Sequence, residues 1–420
     1  MTITSVKGTR DLLPPESRVF QRVEDVAHQV FALHGYEEVR TPVLEPTELF
    51  VRSVGESTDI VHKEMYTFVD RGGRSVTLRP ENTAGVARAY VEHRLAQAGG
   101  VRKLYYVGPQ FRYERPQKGR YREFRQIGAE VLGAADAATD AELLVMLFEF
   151  LGRLGFTGLA VSLNSVGSEE CRPAYVEALR AYLAGFADRM GEDDRRRLEQ
   201  NPLRVLDTKD PAVKEVLPGA PRMLDHLDPA SRAHHEELLA LLDAAAIPYR
   251  IEPRLVRGLD YYTRTVFEVT AEGLGAQDAL LGGGRYDRLV SDLGGPRTPG
   301  IGFAIGEDRL VDVLPAAFRE AALAAFRPVA VVPLAPSDRR EALLLARELR
   351  ASGVAVDLDP AGKGPGAGLK GAERKGLKWA VLLGEKEREE GTAVLKDLES
   401  RAQETVPRAE LISRLKGNPS

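Results

Sequence analysis

The sequence predicts an α+β domain built on an antiparallel sheet, interrupted by a helical insertion and followed by a C-terminal α/β domain with a mixed sheet. Three observations support this fold class. Two alternating segments within residues 107–133 have the pattern of long paired strands. Residues 169–247 have a helical pattern rich in Arg, Glu, Ala and Leu. Beyond residue 328, strand patterns alternate with helix patterns, which is typical of an α/β sheet.

The composition indicates a globular protein of two or three domains, since 43% of the 420 residues are hydrophobic. A single cysteine, Cys171, excludes an intrachain disulfide and is typical of a reducing compartment. The first residues lack the apolar core of a signal peptide, and no apolar run approaches the length of a membrane span. We therefore expect a cytoplasmic protein. The net charge of −4 argues against coating nucleic acid by bulk charge but permits local basic surfaces.

The first domain is predicted to begin with an amphipathic helix over about residues 15–34. A strand follows over residues 37–46, in which Pro42 suits a sheet edge or an interface between subunits. Residues 65–81 are predicted to form a hairpin that turns at residues 70–73. Asn82 or Thr83 is expected to cap a helix that starts near Ala84.

After the hairpin of residues 107–133, we expect a helix over residues 140–154 and a strand over residues 159–166. The helical insertion occupies about residues 168–248, and strand patterns return at residue 249. The catalytic domain is therefore placed at residues 1–325 and the C-terminal domain at residues 326–420. The C-terminal domain is predicted to contain strands at 328–334, 354–359 and 379–384, helices at 338–351 and near 369–375, and then two short strands and a terminal helix.

The hairpin of residues 107–133 has one polar face. Because side chains alternate along a strand, Gln110, Arg112 and Glu114 share one side of the first strand, and Gln126 and Glu130 share one side of the second. Such residues suit the floor of a polar binding site, and the basic loop at residues 115–122 suits an anion. The alternative is an exposed, charged hairpin without a ligand.

Three further segments carry candidate site residues. Glu81 and Thr83 lie at a strand-to-helix junction, where Glu81 could instead serve only the helix dipole. Arg257 precedes Tyr261 and Tyr262, which the pattern places in a strand where tyrosines commonly pack. Arg309 falls in the first turn of a helix, where the dipole disfavours a cation, so that a bound phosphate would relieve the conflict.

Other site types lack their motifs. The sequence contains no P-loop, no GxSxG elbow, and no HExxH or CxxC metal motif, so no metal site made of protein ligands is expected. Gly366, Gly368 and Gly371 match GxGxxG but lack the strand and the downstream acid of a Rossmann site.

Several segments, taken in order, resemble the histidyl-tRNA synthetases, a family of class II aminoacyl-tRNA synthetases. They are KGTRDLLP, GYEEVRTPVLEP, RPENT, FRYERPQKGRYREFRQIGAEV, LVRGLDYYTRTVFEV and GIGFAIGEDRL. Three of them resemble motifs 1, 2 and 3 of class II, whereas LVRGLDYY is the segment that discriminates this family. The final hundred residues are similar to its anticodon-binding domain. The resemblance implies a class II synthetase-like catalytic domain.

The resemblance also implies an activity and a set of site residues. The enzyme would activate L-histidine with ATP and transfer the histidyl group to tRNA(His), with Arg112 and Arg257 as catalytic residues on the α-phosphate. The ATP-binding residues would be Arg112, Glu114, Arg120, Phe124 and Arg309. The histidine-binding residues would be Glu81, Thr83, Gln126, Glu130, Arg257, Tyr261 and Tyr262. The residues facing the tRNA acceptor end would be Arg115, Gln117 and Arg122.

The implied partners follow from the same resemblance. Mg²⁺ would be bound largely through ATP, the basic stretch at residues 363–378 would face the anticodon, and the chain would form a homodimer without a membrane partner. Two alternatives stay open. A regulatory subunit of ATP phosphoribosyltransferase would lose the anticodon domain and erode LVRGLDYY. A non-catalytic RNA-binding sensor would lose at least one of Arg112, Arg257 and Arg309.

Overall fold

The computed structural model describes residues 2–55, 58, 60–116, 119–272, 279–325, 327–358 and 364–417. The chain divides into two compact units, Met1–Pro315 and Ala316–Ser420. This division lies ten residues before the predicted boundary, since the first unit ends at Pro315 and the predicted domain at residue 325.

The strands of the described residues are numbered in chain order. They are β1 (Glu37–Glu38), β2 (Leu44–Pro46), β3 (Tyr66–Val69), β4 (Ser75–Leu78), β5 (Arg102–Phe111), β6 (Glu123–Leu132), β7 (Ala160–Ser165), β8 (Tyr249–Ile251), β9 (Thr263–Thr270), β10 (Ala279–Arg285), β11 (Gly300–Gly306), β12 (Val329–Pro333), β13 (Val356–Leu358), β14 (Trp379–Leu383), β15 (Thr392–Asp397) and β16 (Gln403–Pro407).

The α-helices of the described residues are numbered in the same way. They are α1 (Glu16–Leu33), α2 (Thr47–Val54), α3 (Thr83–Glu92), α4 (Ala137–Arg153), α5 (Arg172–Ala184), α6 (Glu192–Gln200), α7 (Pro211–Lys214), α8 (Pro229–Ala244), α9 (Leu289–Asp292), α10 (Glu307–Asp312), α11 (Ala316–Ala324), α12 (Arg339–Ala351), α13 (Pro365–Arg374), α14 (Glu385–Glu390) and α15 (Leu411–Gly417). None of these helices has both the length and the apolar character needed to cross a membrane.

The first unit is organised by an eight-stranded sheet in the order β1-β5-β6-β11-β10-β9-β7-β8. Its pairs are antiparallel except at the two ends, where β1 pairs with β5 and β8 with β7 in parallel. This confirms the predicted antiparallel sheet. Helix α4 packs against β11, α1 and α8, so that the helices lie along one face. The predicted long helices near residues 15–34 and 140–154 are confirmed as α1 and α4.

The segment predicted as one strand over residues 37–46 is two short strands in different sheets, so that prediction is wrong. β1 pairs with β5 in the large sheet, whereas β2 joins the hairpin β3–β4 in a three-stranded sheet. Pro42 lies between the two strands, and its missing N–H is consistent with the break. The hairpin itself was predicted correctly.

Helix α3 begins at Thr83, but the predicted capping residue is wrong. The Glu81 carboxylate accepts hydrogen bonds from the backbone N–H groups of Thr83 (2.8 Å) and Ala84 (3.0 Å). The Asn82 amide oxygen instead accepts from Thr41 Oγ1 at 2.5 Å. A remote segment therefore draws Asn82 away from the helix end, and Glu81 satisfies the free N–H groups.

The insertion has a hydrophobic core of its own, formed by side chains between Cys171 and Leu227. Helices α5, α6 and α7 surround this core. Helix α8 falls inside the predicted range of the insertion but packs on α4. Its His234 lies 2.9 Å from the carboxylate of Asp140 in α4. Helix α8 therefore belongs to the helical layer behind the large sheet.

The second unit contains a five-stranded sheet in the order β13-β12-β14-β15-β16. The first three strands are parallel and the last two pair antiparallel, which confirms the predicted mixed sheet. Helix α13 begins at Pro365, earlier than expected, and α14 was not predicted. Residues 359–363, including the start of the basic stretch at 363–378 and part of the Gly-rich loop, lie outside the described residues.

Candidate active site

The floor of the candidate site is the face of the large sheet opposite the helices. Register places Gly302 opposite Glu130, and Gly306 opposite Gln126. Gln110 pairs with Phe124 on the same face, as the alternation predicted. Arg112 and Glu114 follow β5, which ends at Phe111, so their predicted place in that strand is wrong. Small residues occupy many floor positions on the central strands: Gly128, Gly282, Gly284, Gly302, Ala304 and Gly306. Longer side chains fill the space that several of these glycines leave, such as Glu130 above Gly302 and Arg257 above Gly282.

A cavity of about 350 Å³ lies above this floor. It brings together all of the predicted ATP-binding residues and the predicted catalytic arginine of LVRGLDYY. These are Arg112, Glu114, Arg120, Phe124, Arg309 and Arg257. Four guanidinium groups at one cavity suit a polyanionic ligand.

The motif 2 residues of this cavity are held by one another. Arg112 Nε donates to the Pro80 carbonyl oxygen at 2.8 Å, and its guanidinium carbon lies 5.3 Å from the centre of the Phe124 ring. The Glu114 carboxylate is 3.8 Å from Arg112 and 3.6 Å from Arg120. The two cations therefore flank one carboxylate above an aromatic ring.

Arg257 is positioned by a residue that the sequence analysis missed. Its guanidinium forms an ion pair with Glu268 of β9, which also lines the cavity. A Cβ atom at Gly282 would lie 2.4 Å from the guanidinium carbon of Arg257, so a side chain there would displace the guanidinium from its observed place. The alternation of side chains within TVFEV could have placed Glu268 on the site face of the sheet. That step requires the register between this strand and its neighbours, which the sequence alone does not give.

Arg309 lines the cavity from helix α10, whose base is fixed by buried acids. Asp308 accepts hydrogen bonds from the Arg125 backbone N–H and from Arg10 Nη2, both at 2.8 Å. Glu307 is fully buried and pairs with Arg125 Nε at 3.0 Å, and burial raises its pKa to about 8. Arg10 of the KGTRDLLP segment therefore helps to fix the helix that carries Arg309.

A second, more enclosed group of polar side chains surrounds Glu130. Thr83 Oγ1 donates to Glu130 Oε1 at 2.6 Å, and the Tyr286 hydroxyl donates to Oε2. Glu130 is 1% exposed, and burial raises its pKa to about 8. A Cβ atom at Gly302 would lie 1.7 Å from Glu130 Oε2. Glycine at this position is therefore required for the observed place of the carboxylate.

Glu81, Tyr261 and Tyr262 contribute to the same group. Burial also raises the pKa of Glu81, although two backbone N–H groups oppose that shift. The rings of Tyr261 and Tyr262 are 4.7 Å apart, and that of Tyr261 lies 5.7 Å from that of Tyr286. Both tyrosines precede β9, which begins at Thr263, so their predicted placement in a strand is wrong. Because Tyr261 and Tyr262 lie outside the strand, their adjacent rings can pack against each other.

Two glutamine side chains on the sheet face have unpartnered amide atoms. Gln126 Oε1, and both amide atoms of the fully buried Gln110, make no hydrogen bond with any described part of the chain. Buried polar groups are usually paired, and unpaired ones are enriched where a ligand binds. Gln126 was predicted as a site residue, whereas Gln110 was recognised only as part of the polar face. Tyr286, whose hydroxyl contacts Glu130, was missed by the sequence analysis.

The tip of the motif 2 hairpin is packed against the N-terminal segment. The Arg122 guanidinium lies 3.7 Å from the centre of the Tyr113 ring, and its backbone N–H donates to the Gly8 carbonyl oxygen at 2.7 Å. Arg115 is exposed. Gln117 lies outside the described residues. Of the residues predicted to face tRNA, Arg122 is thus engaged within the chain.

Carboxylates are present in the cavity, but not as a metal-binding cluster. In the parts of the chain that the structure describes, no group of three His, Cys, Asp or Glu side chains could hold a metal ion. Glu114 and Glu268 line the cavity, and each faces an arginine. A divalent ion entering with phosphates would find these two carboxylates nearby.

Comparison with known proteins agrees with this geometry. Residues 8–310 match the family model described as Histidyl-tRNA synthetase, and residues 328–418 match the Anticodon binding domain. The histidine--tRNA ligase of Koribacter versatilis is 50% identical over 97% of this chain and 95% of its own length. That of Anaeromyxobacter dehalogenans is also 50% identical, over 99% of this chain and all of its own.

A solved structure leads to the same family. The apo histidyl-tRNA synthetase of S. aureus is 34% identical and matches with a TM-score of 0.80, covering 99% of this chain and 100% of that one. The resemblance inferred from the sequence motifs is thereby confirmed. This chain belongs to the histidyl-tRNA synthetase family of class II aminoacyl-tRNA synthetases.

Proposed function

We propose that this chain is a histidine-tRNA ligase, which activates L-histidine with ATP and transfers the histidyl group to tRNA(His). The observation that carries the proposal is the adjacency of two sites on one sheet face. A cavity lined by Arg112, Arg257 and Arg309 lies beside the buried polar group around Glu130. The first suits a nucleoside triphosphate, and the second suits a small amino acid with a polar side chain.

In the first step, the histidine carboxylate attacks the α-phosphorus of ATP, and pyrophosphate leaves. Two anions must approach each other, so fixed cations on both sides of the α-phosphate lower the barrier by positioning and electrostatics. Arg112 and Arg257 take this role because both line the cavity and each is fixed by a neighbouring carboxylate. Arg309 and Arg120 bind the outer phosphates, and Glu114 and Phe124 receive the adenine.

Mg²⁺ bound together with ATP would supply positive charge that offsets the charge of the phosphates, which are its usual partners in nucleotide sites. Glu114 and Glu268 are the carboxylates of the cavity that its water ligands would meet.

Histidine binds in the polar group beside the cavity. Glu130 accepts a hydrogen bond from an imidazole N–H, and Tyr262 contacts the ring. Glu81, Thr83 and Gln126 surround the α-amino group, and Tyr261 packs behind them. Burial raises the pKa of both Glu81 and Glu130, so the pocket favours a ligand that brings positive charge or N–H donors. An apolar amino acid would leave these buried groups unpaired and is rejected.

In the second step, the terminal ribose of tRNA(His) attacks the adenylate carbonyl and AMP leaves. The exposed Arg115 faces the acceptor end, and the roles of Gln117 and Arg122 there stay predictions. Residues 326–420 act as the anticodon-binding domain, with the basic stretch at 363–378 toward the anticodon, and residues 1–325 act as the catalytic domain.

The chain works as a cytoplasmic homodimer. The three-stranded sheet exposes apolar side chains that a second subunit could cover: Leu44, Phe68 and Val69 are 50%, 46% and 69% exposed. They lie close to the Pro42 segment that the sequence placed at an interface.

Two observations favour a ligase over the alternatives. A regulatory subunit of ATP phosphoribosyltransferase was expected to lack the anticodon domain. In this chain, residues 328–418 match the family model of the anticodon-binding domain. A catalytically silent RNA-binding sensor was expected to lose one of three arginines, whereas Arg112, Arg257 and Arg309 line one cavity.

The activity is tested by ATP–pyrophosphate exchange with each amino acid in turn. We expect exchange with L-histidine and none above background with the others, because only an imidazole satisfies Glu130. Exchange that is absent with histidine and present with another amino acid would overturn the proposal.

The role of Arg257 is tested in the same assay with Arg257→Ala. Loss of one cation that stabilises the transition state is expected to lower kcat/KM by about 100- to 1,000-fold. Arg254→Ala is the matched control, because Arg254 is 48% exposed and pairs with Glu252 outside the cavity. Equal activity of the two variants would exclude the proposed role.

The buried state of Glu130 predicts a pH-dependent stability. Its folded pKa of about 8 lies above the ordinary value of 4.5, so its contribution to stability is full below about pH 4.5 and is lost as the pH rises toward 8. Glu130→Gln removes this titration, whereas Glu307 remains in both proteins. The free energy of unfolding of the variant minus that of the wild type should rise between pH 5 and 8, by at most about 1.4 kcal/mol per pH unit. Thermal melts without ligand measure this difference, and a constant value over that range would contradict the account.

A further inference from the structure

Behind the sheet lies a buried ionic cluster that no step above uses. It consists of Arg285 at the end of β10, Asp140 in α4, Thr265 in β9 and His234 in α8, and we call it the Asp140 cluster. Arg285 and Asp140 are both fully buried. Because a buried ion pair stabilises a fold only weakly, its presence calls for a role other than stability.

Arg285 cannot contact either substrate. It pairs with Ile301 in β11, whereas the site floor is formed by the alternate positions Gly302 and Gly284. Alternation therefore places Arg285 on the apolar face of the sheet, which packs against α4. Any effect of Arg285 on the reaction must pass through another residue.

The guanidinium of Arg285 is bound on every nitrogen. Nη1 forms an ion pair with the Asp140 carboxylate, Nη2 donates to the Ala134 carbonyl oxygen at 2.5 Å, and Nε donates to Asp287 Oδ1 at 3.2 Å. Ala134 follows β6, the strand that carries Glu130. One guanidinium thus connects the end of β6 to the end of β10.

Asp140 is fixed by the other members of the cluster. Its Oδ2 accepts from Thr265 Oγ1 at 2.7 Å and lies 2.9 Å from His234 Nε2. These contacts hold the Asp140 carboxylate in one position between α4, α8 and the sheet. The ion pair with Asp140 in turn fixes the position of the Arg285 guanidinium.

The next residue, Tyr286, is the link to the site. Its backbone N–H donates to the Gly300 carbonyl oxygen at 2.8 Å, and its hydroxyl donates to Glu130 Oε2. A Cβ atom at Gly300 would lie 2.4 Å from the Tyr286 ring, so the ring has little room to move. Both partners of the Tyr286–Glu130 hydrogen bond are thus attached to segments that Arg285 joins.

We propose that Arg285, held by Asp140, is a positioning residue for histidine recognition, which sets the Tyr286 hydroxyl against Glu130 from the opposite face of the sheet. The proposal rests on the proposed function, because it assumes that Glu130 binds the imidazole. In this proposal, the Asp140 cluster aligns the Glu130 carboxylate. ATP binding is not expected to depend on it, since none of the hydrogen bonds described above for the cluster reaches a residue that lines the cavity.

The test measures KM for histidine and KM for ATP in pyrophosphate exchange with Arg285→Lys. Lysine keeps the charge and reaches Asp140 but cannot also bind Ala134 and Asp287. We expect KM for histidine to rise about tenfold or more, because a small displacement of a binding group is costly, and KM for ATP to stay unchanged. Arg88→Lys is the matched control, since Arg88 pairs with the buried Glu45 in a different part of the unit.

A double-mutant cycle separates positioning from a general loss of structure. Tyr286→Phe removes only the hydroxyl, so it should raise KM for histidine by itself. If Arg285 acts through that hydroxyl, Arg285→Lys should add little in the Tyr286→Phe background. Should Arg285→Lys fail to fold, Asp140→Asn in the same cycle replaces it.

The outcomes distinguish the two proposals. No histidine-dependent exchange by the wild-type protein contradicts the proposed function itself. If the wild-type protein is active, three results would contradict the positioning role. Arg285→Lys could leave KM for histidine unchanged, could raise both KM values equally, or could change KM for histidine by the same factor in both backgrounds.

Discussion

The site depends on the burial of one carboxylate in the middle of an antiparallel sheet. Glu130 is 1% exposed, yet its oxygens reach Thr83 and Tyr286. This is possible because the neighbouring strand has a glycine, Gly302, at the facing position. The Glu130 carboxylate occupies the space that a side chain at Gly302 would fill. Isolation from water raises the pKa of the carboxyl and makes its partners costly to leave unpaired. A pocket built in this way selects by hydrogen bonds, which discriminate more sharply than apolar contacts.

The cavity proposed for the nucleotide follows the opposite principle, since its charges are accessible and paired with each other. Arg112 and Arg120 flank Glu114, and Arg257 faces Glu268. These pairs keep the guanidinium groups in place before a polyanion arrives. Glycine again provides the room, because a side chain at Gly282 would collide with Arg257. One row of small residues thus serves a buried acid at one end and half-buried cations at the other.

Local pattern was enough to predict the parts of the site that one hairpin contains. Period-two alternation placed Gln126 and Glu130 on one face with Gln110, and the register confirms this. Tyr286 and Gly302 contact Glu130 of that hairpin from segments more than a hundred residues away, and alternation within a segment does not supply the register between segments. Remote contacts also explain the wrong cap, because Thr41 engages Asn82 and leaves the helix end to Glu81.

The central claim is that the empty space at Gly302 positions Glu130 for histidine. Gly302→Ala tests it, because a methyl group there would lie 1.7 Å from Glu130 Oε2 and also 2.6 Å from the backbone oxygen of Ala129. Titration calorimetry of histidine and of ATP gives the two affinities, with Gly152→Ala as a control whose added methyl group meets nothing within 4 Å. The account predicts that Gly302→Ala weakens histidine binding by about tenfold or more and leaves ATP binding unchanged. Wild-type affinity for histidine in a folded Gly302→Ala protein would contradict it.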